Sequence, residues 1–166
     1  MNRFQKLLER EQIGLIPFFI IGYPNLKQSF ELIKIALEYY IAGLELGMAF
    51  SDPVADGPII QKAMAKTMSY DFTWQDYISF IRDIRLITQL PIGLLVYFNL
   101  LMQQGIDKAI TDLANQGVDG ILPVDLPFEH DDIILPLLQK TQIGRIHLIA
   151  PNTSPERMIN LLESST

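Results

Sequence analysis

The sequence predicts an α/β protein of consecutive strand–helix units around a parallel sheet, and three observations carry that prediction. Short β-rich apolar runs alternate with longer segments of helical period along all 166 residues. No G-x-G-x-x-G follows the first strand, which favours a stretch of a (β/α)₈ barrel over an open doubly wound sheet. Polar residues gather at the C-terminal ends of the strands and in the loops behind them, where barrels keep their functional groups.

Taken in order, the charged, amphipathic stretch 1–11 (Arg3, Lys6, Glu9, Arg10, Glu11) reads as a short leading helix around Leu7 and Leu8 and lacks a signal-peptide core. Residues 14–21 (GLIPFFII) read as a buried strand closed by Gly22-Tyr23-Pro24. Asn25 is placed to cap the next helix, in which Phe30, Ile33 and Leu37 recur at helical spacing. A second strand over 44–50 leads into a long loop, 51–58, and helices are expected over 59–69 and 74–87. Strand 92–97 and helix 106–115 form the third unit, and strand 120–124 and helix 131–140 the fourth. The fifth unit is strand 145–149 and helix 154–163, with Ser154 as N-cap and Pro155 at the first helical position.

The length fits one domain, 1–166, and is too short for two. A net charge of −6 and the lack of any basic stripe argue against nucleic acid. The hydrophobic fraction of 49% suits an interior-heavy α/β fold or a surface made for a partner. The apolar stretches 13–21 and 90–102 fall short of the roughly 20 residues a spanning helix needs, and each contains a proline, so no membrane span is expected. With no cysteine there is neither a disulfide framework nor a thiolate metal site, and a cytoplasmic protein is the default.

Strand side chains alternate in direction, so Leu44 and Leu46 belong against the helices while Gly43, Glu45 and Gly47 face the barrel interior. An inward carboxylate could pair with a buried cation, but strands 1 to 4 contain no Lys or Arg. Desolvation would raise its pKa, which suits a group that gives and takes protons. In the loop after strand 2, Asp52 and Asp56 read either as caps of a rigid turn or as functional carboxylates. Tyr97, Asn99 and Asp125, at strand ends, divide equally between structural hydrogen bonds and substrate contacts. His130 and His147 have no ligand-spaced partners, so no metal site is expected. Trp74, Tyr77 and Phe80 read as core, and Glu129, Asp131 and Asp132 as first-turn acids favoured by the helix dipole.

The run 44–58, LELGMAFSDPVADGP, resembles the tryptophan synthase α subunit signature ELG-x-x-FSDP-x-ADGP. Further matches, in the family's order, are IPF with GYP near the start, PIGLLVYFN (91–99), GVDG (117–120), VDLP (124–127) and APNT (150–153). The resemblance implies a parallel (β/α) repeat, an incomplete TIM barrel of about five of the eight strand–helix units. It also implies retro-aldol cleavage of indole-3-glycerol phosphate to indole and glyceraldehyde 3-phosphate. By resemblance Glu45 is the general acid/base and Asp56 the carboxylate that faces the indole N–H. Phe18, Leu95, Tyr97 and Leu122 match positions lining the indole pocket. Asp52, Pro53 and Asn99 match the surface that docks on the β subunit in an α2β2 heterotetramer. No cofactor is expected in this chain, with pyridoxal phosphate only in the β partner.

Four positions depart from the family pattern: Ala49 in place of proline, Tyr39-Tyr40 after the first barrel helix, Ile20 in place of threonine, and Pro123 inside strand 4. The resemblance also implies that strands 6 to 8, with the phosphate-holding loops, lie beyond Thr166. The chain alone is therefore expected to be impaired in turnover, and its open sheet edges to drive association or dependence on a partner. The alternative to an enzyme subunit is a non-catalytic remnant that docks on or regulates the β subunit.

Overall fold

The computed structural model describes residues 3–9 and 13–165; Arg10, Glu11 and Thr166, which entered the expectations above, lie outside the described residues. Its elements run α1 (Arg3–Leu8), β1 (Phe18–Ile20), α2 (Leu26–Leu37), β2 (Leu44–Gly47), α3 (Pro58–Met68), α4 (Trp74–Ile87), β3 (Ile92–Val96), α5 (Phe98–Gln104), α6 (Ile106–Asn115) and β4 (Gly120–Pro123). A 3₁₀ helix (Phe128–Ile133), α7 (Leu135–Thr141), β5 (Gly144–Arg145) and α8 (Pro155–Ser164) complete them. The five strands pair in parallel in the order β1-β2-β3-β4-β5. A doubly wound sheet reverses its strand order at a switch point. This order never reverses, so the sheet is an arc of a barrel.

Register fixes which residues share a face. Phe18, Glu45, Gly93, Gly120 and Gly144 lie in one row, and Ile20, Gly47, Leu95 and Leu122 in another. The residues between them, Leu44, Leu46, Ile92, Leu94 and Ile121, are fully buried with Ile33, Ile81, Ile84, Ile110 and Leu113 of the helices. Burying each such side chain contributes roughly 1.5–3 kcal/mol, so the sheet–helix layer is the main core. The inward rows form a smaller cluster of Ile20, Ala49, Met64 and Tyr97, edged by Phe18, Phe50, Ile60 and Val124.

The lower end of the arc is closed by α1. A Cβ on Gly93 or Gly120 would meet the Phe4 ring and the Ile146 side chain, so these glycines make room for a plug. Asp119 organises the same end. Its carboxylate takes Arg85 at 2.8 Å, Arg3 at 2.9 Å and the Ile92 N–H at 2.9 Å. Arg85 also reaches the carbonyls of Thr88, Leu90 and Gly117.

Local signals explain most element ends. Asn25 accepts from the Gln28 N–H and Ser154 from the Arg157 N–H, as expected of N-caps. Thr73 and Asp76 form a full capping box at α4. Helix α2 ends at Glu38 without a left-handed residue, leaving Tyr39 and Tyr40 exposed.

Several expectations need correction. Paired strand is confined to Phe18–Ile20, Leu44–Gly47 and Gly144–Arg145, within or beside the longer runs 14–21, 44–50 and 145–149. For β5 the cause is Pro123: the next ladder bond would run from an N–H at 123 to the Ile146 carbonyl, and proline has none. The Arg145 guanidinium takes that carbonyl instead, at 2.6 Å. The single helix expected over 131–140 is a 3₁₀ turn followed by α7, which starts with Pro136 in its first turn. Helix α5 was not expected at all.

Asp131 stands in the first turn of the 3₁₀ helix, as expected, but turns inward. It is 2% exposed, holds the Arg145 Nε at 3.0 Å, and has His147 Nε2 within ion-pair distance at 3.2 Å, off the line of a hydrogen bond. His147, read as isolated, thus stands beside a carboxylate. Burial draws the Arg145 guanidinium down from its ordinary pKa, and Asp131 opposes that shift. Trp74 packs against the core as expected, half-buried, and also donates its Nε1–H to Asp112 at 2.9 Å.

Candidate active site

Glu45 is the second residue of β2, flanked by leucines that face the helices, and the register turns its side chain into the lumen beside Phe18. It is half-buried, and its carboxylate makes no hydrogen bond or ion pair among the described residues. Desolvation by burial holds its carboxyl above the ordinary glutamate value of 4.5. Gly47 sits one row higher; a Cβ there would lie 2.6 Å from the Phe18 ring. The missing side chain therefore gives the ring its place at the lumen wall. Leu95 and Leu122 share the row of Gly47, half-buried and buried respectively. These residues set a half-buried carboxyl group among apolar side chains.

The second carboxylate comes from the loop 51–58. Tyr97, immediately after β3, is 1% exposed and stacks on Phe50 with ring centroids 4.7 Å apart. Its hydroxyl donates to Asp56 Oδ2 at 2.7 Å and accepts the Ala55 N–H at 3.2 Å. Burial, and then the bond to Asp56, push the Tyr97 hydroxyl well above the usual tyrosine range. It therefore stays protonated as the donor. Asp56 is half-buried, and its backbone carbonyl accepts from Gln61 Nε2 at 2.9 Å, so α3 steadies the loop from the other side.

The remaining sequence candidates separate by position. Asp52 is exposed and Pro53 half-exposed on the outer part of the loop, and Asn99 is exposed in the first turn of α5. The structure places these three on the rim, away from the lumen. Asp125 serves the backbone, since its Oδ1 accepts the Phe98 N–H and caps α5. Ala49, in place of the family's proline, is buried in the inner cluster. Its backbone hydrogen-bonds to the Tyr77 hydroxyl, offsetting part of the rise that burial gives that group.

Sequence reasoning missed Phe50 and Gln61. Phe50 lies inside the quoted motif, and its aromatic character next to a strand end was the available signal. Gln61 offered none, because its role depends on the loop folding back over the start of α3. Among the described residues, no helix is long and apolar enough to cross a membrane, and no cluster of His, Asp or Glu could hold a metal ion.

The family model described as tryptophan synthase alpha chain matches residues 4–166. The tryptophan synthase alpha chain of Helicobacter pylori (strain Shi470) is 37% identical over 155 residues, 92% of this chain and 58% of that one. Its counterpart from Methanothermobacter thermautotrophicus is 36% identical over 92% of this chain and 57% of its own length. Among solved structures, the alpha subunit from Legionella pneumophila str. Paris superposes with a TM-score of 0.93 at 32% identity, covering 99% of this chain and 65% of that one. The tryptophan synthase complex from Pyrococcus furiosus gives 0.88 at 31%, over 92% of this chain and 63% of the matched one. The chain thus spans a little under two-thirds of the length of these relatives. A family-model match along nearly the whole chain and relatives 36–37% identical over 92% of it show that the chain belongs to the tryptophan synthase alpha chain family.

Proposed function

We propose that this chain carries the acid–base half of a retro-aldol lyase site that cleaves indole-3-glycerol phosphate to indole and glyceraldehyde 3-phosphate. The observation that supports this most is the pair of unlike carboxyl groups: Glu45, raised by desolvation in the lumen, and Asp56, held by the Tyr97 hydroxyl. In the reaction the bond between the indole ring carbon and the side chain breaks. Its electrons return to the ring, the ring carbon gains a proton, and the hydroxyl on the side-chain carbon loses one as the aldehyde forms. Glu45 serves as the acid/base for these transfers. Asp56 accepts the indole N–H as positive charge develops there. Phe18, Leu95, Leu122 and the Tyr97 ring enclose the indole. No cofactor enters these steps in this chain; pyridoxal phosphate belongs to a β partner, which Asp52, Pro53 and Asn99 on the rim would meet in an α2β2 assembly in the cytoplasm.

Barrels of this kind bind phosphate through the loops after strands 7 and 8, and the described residues form five strands. Contacts to a remote phosphate contribute to the rate at the reacting centre. A polypeptide of residues 1–166 alone is therefore expected to release indole on the order of 100-fold or more below the Helicobacter pylori relative. Glu45→Gln is expected to remove what rate remains. Release that is indifferent to both Glu45→Gln and Asp56→Asn overturns the assignment of roles, and an undiminished rate overturns the phosphate argument. A second reading, a non-catalytic module that docks on the β subunit, draws on the exposure of Asp52 and Asn99. Co-purification with a β subunit without any Glu45-dependent indole release favours it.

A further inference from the structure

The Tyr97 hydroxyl ties the end of β3 to an earlier loop. It contacts the loop 51–58 twice, donating to Asp56 Oδ2 at 2.7 Å and accepting the Ala55 N–H at 3.2 Å. Its ring is fixed on three grounds: it is 1% exposed, it is stacked on Phe50, and it is packed with Ile20, Ala49 and Met64. The loop lies 41 residues earlier in the chain and has no strand pairing of its own. Its only other side-chain ties from the body are Gln61 Nε2 to the Asp56 and Pro53 carbonyls, among the described residues. Gln61 thus fixes the backbone at Asp56, and Tyr97 fixes its carboxylate. With Oδ2 occupied, Oδ1 carries no hydrogen bond among the described residues. One carboxylate oxygen is held and the other is left open.

We propose that Tyr97 is the positioning residue of this site: its hydroxyl orients the Asp56 carboxylate and orders the 51–58 loop, so that Oδ1 is presented to a ligand N–H. The inference rests on the functional reading above for the identity of that N–H, but not for the hold on the loop. A carboxylate anchored through one oxygen keeps its charge and loses its rotational freedom. It then recognises an N–H donor without reorganising as charge develops there. A phenylalanine at 97 would keep the stack and the packing and lose only the oxygen.

Two measurements on wild type, Tyr97→Phe, Asp56→Asn and the double variant test this. The first is hydrogen exchange at the Ala55 amide, which needs no ligand. Tyr97→Phe is expected to speed exchange there about tenfold, the equivalent of one lost hydrogen bond, while Asp56→Asn with Tyr97 intact leaves the amide protected. Unchanged exchange in Tyr97→Phe overturns the proposal. The second is the binding preference for indole over benzofuran, which has the same shape and no N–H. Wild type is expected to prefer indole about tenfold, Tyr97→Phe to lose that preference, and the double variant to match Asp56→Asn alone. A purely structural tyrosine would weaken both ligands equally and leave the preference intact, and that result overturns the proposal. A wild type with no preference, but with the expected exchange effect, sinks the indole reading of Asp56 and leaves the loop hold standing.

Discussion

Glu45 shows how one side chain ties chemistry to stability. Its folded pKa lies above the ordinary 4.5 because the lumen disfavours the charge. Below that ordinary value both folded and unfolded states hold a neutral carboxyl, and no penalty arises. As pH rises through 4.5 the unfolded chain ionises first, and stability falls until the pH passes the raised folded value, after which it levels. Glu45→Gln is therefore expected to melt with wild type at about pH 3 and above wild type at about pH 7, as thermal denaturation followed by circular dichroism will show. A lower melting point at neutral pH would mean that Glu45 has a stabilising partner. The inward direction of Glu45 was legible from alternation alone, since Leu44 and Leu46 had to face the helices. The Tyr97–Asp56 bond was not, because it joins residues 41 apart and depends on how an unpaired loop folds back.

At the scale of elements, the legible parts are those whose instructions are local. Asn25 and Ser154 announce their helices within three residues, each accepting from the N–H three positions on. Helix α5 was hidden because its capping group, Asp125, comes from the far end of β4, 27 residues away, while Tyr97 at its N-cap offers no side-chain bond. Strand β5 shows the same lesson. Pro123 was visible in the sequence, but not that the carbonyl it orphans would be Ile146, nor that Arg145 would satisfy it. Arg145 also donates to the Leu126 carbonyl at 3.2 Å, so with Asp131 it joins β5, the end of β4 and the 3₁₀ helix. Removing Asp131 leaves a buried guanidinium without its carboxylate. Asp131→Ala is expected to cost about 3–5 kcal/mol in urea denaturation. A loss near zero would show that the backbone carbonyls alone hold Arg145.

At the scale of the molecule, the sheet ends at β1 and β5, and apolar side chains stand near both edges. Ile13 is fully exposed, and Leu15 and Leu148 are 64% and 67% exposed. Unpaired edges with such neighbours favour pairing with another chain. A polypeptide of residues 1–166 is expected to self-associate in sedimentation analysis, and Leu15→Lys with Leu148→Lys to shift it toward monomer. A monodisperse monomer of the unsubstituted polypeptide contradicts this. The alternation of units was legible in the sequence, whereas the order of the strands, and so the exposure at the sheet's margins, needed coordinates.

The plug at the lower end has a consequence for how the chain is made. The seat of Arg3 and Phe4 is built from Gly93, Gly120 and Asp119, and Arg3 and Asp119 are 116 residues apart. At a synthesis rate of about 5–20 residues per second, α1 waits on the order of ten seconds before its binding place exists. During that interval the Phe4 face of α1 has no finished seat to pack against.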